Sequence, residues 1–232
     1  MKNSIIVLAV TAMMAMSCST TKYFVASNYK LDTVENSSAE SMVKASSQSY
    51  SDDVIDISMQ FGENAISMVL ANQTNSSIKI LWDDAAYIDQ FGSAHRIIHL
   101  GTKLVDRDKA QVPSVVPKGS RINEEVVPSD CIEWVTSTSK YVASDWHYTP
   151  LAQMYLYNTQ REAENATIEY EPVQLLLPIE ANNQRYEYTF KFVNKDTSVG
   201  SVTQTDWTKT LWATTGITCA ALVVELIVLS GI

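Results

Sequence analysis

Residues 184–193 read QRYEYTFKFV. Tyr186, Tyr188, Phe190 and Phe192 recur at every second position, with Glu187, Thr189 and Lys191 between them. A helix would scatter the four rings around its axis, whereas a strand lines them on one face. The stretch therefore predicts a half-buried strand whose aromatic side belongs to a core. The same period runs upstream. Residues 54–61, VIDISMQF, alternate Ile55, Ile57, Met59 and Phe61; residues 64–74 alternate Ile66, Met68 and Leu70; residues 76–82 alternate Ile78, Ile80 and Trp82. Turn chemistry separates them, in GEN (62–64), NQTNSS (72–77) and DQFGSA (89–94), where Gly and Asn accept left-handed φ and Asn and Ser bond locally.

Residues 131–137, 153–158 and 173–179 are further short strand candidates. Residues 111–130 hold Pro113, Pro117 and Pro128, which predicts edge strand and loop because proline lacks a ladder donor. Seven or more short strands with no long helical pattern predict an all-β fold, an immunoglobulin-like antiparallel β-sandwich over residues 54–194, with a barrel as the main alternative.

Composition excludes several function classes. A formal charge of −9 over 232 residues repels nucleic-acid phosphate, and no Lys/Arg stripe reverses it locally, so no nucleic-acid partner is expected. Of the three cysteines, Cys18 and Cys219 lie in apolar ends and only Cys131 lies in the middle, so no internal disulfide framework is available to the domain.

The two ends carry membrane signals. Lys2 and the apolar run Ile5 to Met16 form a signal peptide over residues 1–17, too short to span a bilayer. The run closes on Ala15-Met16-Ser17-Cys18. This resembles the lipobox of bacterial lipoproteins, which implies acylation of Cys18 as the mature N-terminus and membrane lipid as a partner. Residues 77–101, SIKILWDDAAYIDQFGSAHRIIHLG, are similar to bacterial envelope lipoproteins with Ig-like domains. Residues 18–53, rich in Ser, Thr, Asn and Glu, read as a solvated tether, and residues 195–206 as a linker. Residues 207–232 read as a C-terminal transmembrane helix: the last 22 residues would reach about 33 Å as a helix. Trp207 and Trp212 stand where interfacial anchors belong. Gly216 and Ala220 form a small-xxx-small pair, and Glu225 is a carboxylate at membrane depth, costly unless partnered. These three residues point to assembly with another envelope subunit or with a second copy.

No catalytic constellation is legible, and no cofactor or metal is assigned. His95 and His99 are four apart, but in a strand they would stand about 13 Å apart, too far to share a metal. Asp83, Asp84 and Asp89 match no calcium loop. There is no GxSxG elbow, Cys/His signature, Walker A or GxGxxG loop. Tyr141, Trp146 and Tyr148 fall in what reads as a long loop and are the candidate partner contacts, since Trp and Tyr combine large area with a polar tip. The expectation is a non-catalytic, lipid-anchored envelope protein, a structural or assembly subunit on the exported side. Four sequons, at Asn36, Asn72, Asn75 and Asn165, keep open an alternative, a GPI-anchored secreted glycoprotein. An envelope enzyme on the same sandwich is the third reading.

Overall fold

The computed structural model describes residues 19–37, 42–45, 48–137, 143–152 and 154–205. Its first strands are β1 (Ser19–Asn36), β2 (Val43–Lys44), β3 (Ser49–Ser51), β4 (Ile55–Phe61), β5 (Ile66–Asn72), β6 (Ile78–Ile80), β7 (Ala86–Ile88) and β8 (Ala94–His99). There follow β9 (Ser114–Val116), β10 (Arg121–Pro128), β11 (Ile132–Val135), β12 (Asp145–Tyr148), β13 (Tyr155–Tyr157), the short helix α1 (Gln160–Glu164), β14 (Val173–Ala181) and β15 (Gln184–Thr205). Every pairing whose register is resolved is antiparallel, so the fold is all-β. No helix among the described residues is long and apolar enough to cross a membrane.

The chain forms two compact units, and β1 and β15 contribute to both. The smaller contains described residues 19–25, 155–166 and 199–205. There β13 pairs with the start of β1, Phe24 opposite Leu156. Gly200 leaves room for the Phe24 ring: a Cβ at Gly200 would stand 2.3 Å from the ring tip. Helix α1 starts on a capping box, Thr159 accepting from the Glu162 N–H while the Glu162 carboxylate accepts from the Thr159 N–H.

The larger unit contains described residues 26–152, 154 and 167–198. Its strands run in the order β1-β15-β14-β7-β8-β10-β5-β4-β3, with β6 beside β14 and β9. The alternation legible in the sequence decides which side chains enter the core: Ile55, Ile57 and Met59; Ile66, Met68 and Leu70; Val173, Leu175, Leu177 and Ile179; Tyr188, Phe190 and Phe192. All belong to one buried cluster with Trp82, Tyr87 and Ile97. On a flat sheet β4 and β15, six steps apart in the order, would lie about 29 Å apart. Instead the Phe61 and Phe192 rings are 5.5 Å apart and Tyr50 and Tyr188 are 6.0 Å apart. The strand path therefore folds back over itself around that core.

Asp52 ties the two layers together. Its Oδ1 accepts from the Val54 and Ile55 N–H groups, and its Oδ2 accepts from the Tyr50 and Tyr188 hydroxyls and from the Asn36 amide. Burial, then the Asp52 charge, pushes the Tyr50 hydroxyl up to about 12 and raises that of Tyr188.

Three segments differ from the expectations. Residues 19–36, read as tether, are strand β1: Tyr29, Leu31 and Val34 are buried and the polar remainder is held by the ladder to β15, a contribution that composition does not register. Residues 195–205, read as linker, continue β15. β10 lies between β8 and β5, not at an edge. Pro113 and Pro117 fall before β10 and Pro128 is its last residue, so the ladder's interior loses no donor. The signal peptide, Cys18, Trp207, Trp212, Gly216, Ala220 and Glu225 lie outside the described residues, as does the proposed C-terminal helix.

Candidate functional site

β11 and β12 form a two-stranded ribbon apart from the main sheet. A single 3-10 turn, Ser129–Cys131, leads from β10 into it. The register sets Ile132 opposite Tyr148, Glu133 opposite His147, Trp134 opposite Trp146 and Val135 opposite Asp145. Period two then divides the ribbon into an aromatic face (Ile132, Tyr148, Trp134, Trp146) and a polar face dominated by Glu133, Asp145 and His147. The expected loop is thus corrected for Trp146 and Tyr148, which stand on β12, while Tyr141 lies outside the described residues. The misreading has a physical cause. Each strand is four residues long and nine residues separate them, so neither looks like half of a hairpin.

The aromatic face is well built and incompletely covered. The Trp134 and Trp146 rings meet edge to face at 5.3 Å, and the Arg107 guanidinium lies 5.4 Å from the centre of the Trp146 ring. Ile132 is buried at the root, but Trp134 remains 50% exposed and Tyr148 45% exposed. Between this root and the chain after β8 lies a groove of about 330 Å³, lined by Ile132, Tyr148, Leu100, Leu104, Val127 and Glu125 among others. Sequence reasoning did not single out Ile132, Leu100, Leu104 or Arg107 as site residues. The alternation shared by CIEW and DWHY was the available signal, because it places Ile132 and Trp134 on one side of the first run and Trp146 and Tyr148 on one side of the second.

Two histidine centres sit nearby, and strand β8 keeps them apart. His95 lies between two carboxylates, its Nδ1 2.5 Å from Asp130 and its Nε2 3.1 Å from Asp89. Asp89 is itself fixed in the β7–β8 turn, accepting from the Phe91 and Ser93 N–H groups with Gly92 at φ +79°. Burial alone would lower the His95 pKa, but its bonds to Asp130 and Asp89 outweigh that and raise it. Burial likewise acts to raise Asp89, and the turn N–H groups with His95 reverse it. Asp130 immediately precedes Cys131 and the ribbon, so this ion pair clamps the ribbon's root. His99 stacks on the buried Trp82 at 4.5 Å and meets the buried Glu124 at 3.3 Å. Burial raises the Glu124 pKa.

The remaining candidates are engaged otherwise. Asp83 pairs with Arg96 and Asp84 with Arg185, each at 2.7 Å. Among the described residues no group of three or more His, Cys, Asp or Glu side chains is placed to hold a metal ion. Burial raises the half-buried Cys131 thiol, which disfavours the thiolate needed for nucleophilic chemistry. Of the four sequons, Asn36 and Asn72 are buried at 7% and 4% exposure, and the Asn72 amide donates to the Ser76 and Val116 carbonyls. Compared with protein-family models, with curated proteins and with solved structures, the chain matches none of them.

Proposed function

We propose that the chain is a non-catalytic, lipid-anchored protein of the bacterial cell envelope, an assembly subunit whose Ig-like β-sandwich stands on the exported side. The sandwich reading is supported by antiparallel pairing at every resolved register around one core and, among the described residues of the larger unit, by a strand path that runs from β1 to β3 without closing. The anchoring is supported by the lipobox-like Ala15-Met16-Ser17-Cys18 and by the apolar residues 207–232, which would place Glu225, Gly216 and Ala220 against another membrane segment. Burial closes the Asn36 and Asn72 sequons to a glycan, while Asn75 and Asn165 are exposed, so the glycoprotein alternative is narrowed to those two sites.

The observation that carries the assembly role is the aromatic face of the ribbon. Trp and Tyr are enriched at the centres of protein interfaces, and here Trp134 and Tyr148 stand half exposed on a ribbon fixed at its root, with Tyr148 lining the groove. The test is mild detergent extraction from the native envelope, with the wild type and Trp134→Ala compared for co-extracted protein. The reading expects a partner that is lost on substitution and a mature chain beginning at acylated Cys18. A wild type extracted alone, or a partner equally retained by Trp134→Ala, removes the docking role.

A further inference from the structure

We propose that the outer edge of β11 accepts an extended strand of a partner protein, one that alternates apolar and basic residues. The inference rests on the docking reading above and specifies the partner's chemistry.

The ladder itself shows which backbone groups are free for this. In an antiparallel pair, hydrogen-bonded and non-hydrogen-bonded positions alternate. The Thr149 N–H donates to the Cys131 carbonyl at 2.9 Å, so that pair is hydrogen-bonded. Counting inward along the register, Glu133 with His147 and Val135 with Asp145 are hydrogen-bonded too. Ile132 with Tyr148 and Trp134 with Trp146 are the non-bonded pairs. Their side chains come closest, which is why the two indoles meet edge to face, and their N–H and C=O groups point out of the ribbon on both edges. The two edges are not equivalent. On β12 the outward Trp146 N–H is answered by the neighbouring Asp145 carboxylate at 2.8 Å. On β11 the Trp134 N–H and C=O have no partner among the described residues. A strand edge with an unanswered residue beside an aromatic face is the geometry that strand addition uses.

The side chains along that edge select the occupant. A strand added to β11 places one set of its side chains beside Trp134 on the aromatic face, where an apolar residue gains contact area. The alternate set lies on the polar face, beside Glu133, where Lys or Arg is favoured and acid is repelled. The formal charge of −9 adds attraction for a basic segment at a distance. A second copy of this chain fits less well. An antiparallel register that uses both Ile132 and Trp134 would set the two Glu133 carboxylates face to face.

The test uses the full chain in detergent and an acetylated eight-residue peptide alternating valine and lysine, with backbone amide exchange followed across residues 132–137. Binding should slow exchange at Trp134. The valine facing Trp134 must donate its own N–H, so N-methylation of the valine nitrogens should weaken binding about tenfold, the loss of one or two net hydrogen bonds. Methylation of the lysine nitrogens, which point away, should leave it unchanged. Glu133→Lys should transfer the preference to a valine–glutamate peptide. Absence of protection at Trp134, equal loss from both methylated peptides, or protection that rises with protein concentration without peptide overturns the proposal, the last in favour of a second copy. If the peptide fails while Trp134→Ala still loses its co-extracted partner, strand addition falls and docking stands; if the partner is also retained, both fall.

Discussion

Removing the Asp52 carboxylate should unlock the two layers of the larger unit. Asp52 accepts five hydrogen bonds, two from the backbone at Val54 and Ile55 and three from Tyr50, Tyr188 and Asn36. Tyr188 is fully buried, so its hydroxyl has no water to turn to in Asp52→Ala. A buried donor stranded in this way costs about 1–3 kcal/mol. Asp52 itself is only half buried, so water replaces part of what the other four donors lose. Taking the full cost at Tyr188 and a reduced one elsewhere gives a loss of about 4 kcal/mol, or roughly 10 °C in Tm for a domain of this size. Asp52→Asn keeps one acceptor oxygen and should cost about half as much. The assay is urea unfolding of both variants, of Tyr188→Phe and of the double variant. Tyr188→Phe removes the stranded hydroxyl, so it should recover about 1–2 kcal/mol in the Asp52→Ala background. A cost for Asp52→Ala below about 1 kcal/mol, or strict additivity with Tyr188→Phe, would refute the reasoning.

The His95 clamp makes the ribbon's hold depend on pH. Because the folded His95 pKa is raised above the ordinary 6.5, its contribution is complete below that value and lost as pH rises through the folded pKa. Asp89, lowered from 3.8, contributes above that value and loses its contribution as pH falls through the folded one. The protection of amides in residues 132–135, taken relative to the intrinsic exchange rate at each pH, should therefore fall on the alkaline side, by less than about 1 kcal/mol because Asp130 is largely exposed, and His95→Gln should flatten the profile. Protection independent of pH in both proteins would count against the clamp. Gly62→Ala should destabilise the β4–β5 turn by about 1–3 kcal/mol, since its Cβ would lie 2.8 Å from the Ala65 carbonyl oxygen; an unchanged unfolding midpoint contradicts that geometry. In the tail, Glu225→Leu should reduce the size of the detergent-solubilised complex, and an unchanged size would remove the assembly role of that carboxylate.

The core was legible wherever a strand is buried on one face. Tyr188, Phe190 and Phe192, with the alternating runs at 55–61, 66–70 and 78–82, follow directly from the period because each inward position must be apolar. β1 was not legible for the complementary reason. Over 18 residues it buries few large apolar side chains, and its stability comes from backbone pairing with β15, which leaves little trace in residue type. In the ribbon, β11 was legible as the short strand candidate 131–137, whereas β12 was read as loop because its four residues lie nine residues beyond β11, although Trp134 and Trp146 already held the alternation that pairs them. The His95 clamp was beyond reach: Asp130 lies 35 residues away and nothing local marks it as the partner.

The claim on which the rest depends is that the ribbon's aromatic face docks another protein in the envelope. A photo-cross-linking residue placed at Tyr148, on the ribbon's aromatic face, and separately at Val115, on β9, tests it in intact cells. Both positions are exposed, so both are open to solvent and differ in what should meet them. A discrete protein adduct is expected from position 148 that disappears when Trp134→Ala is added, and none from position 115. Adducts of equal yield from both positions, or none from position 148, would contradict it.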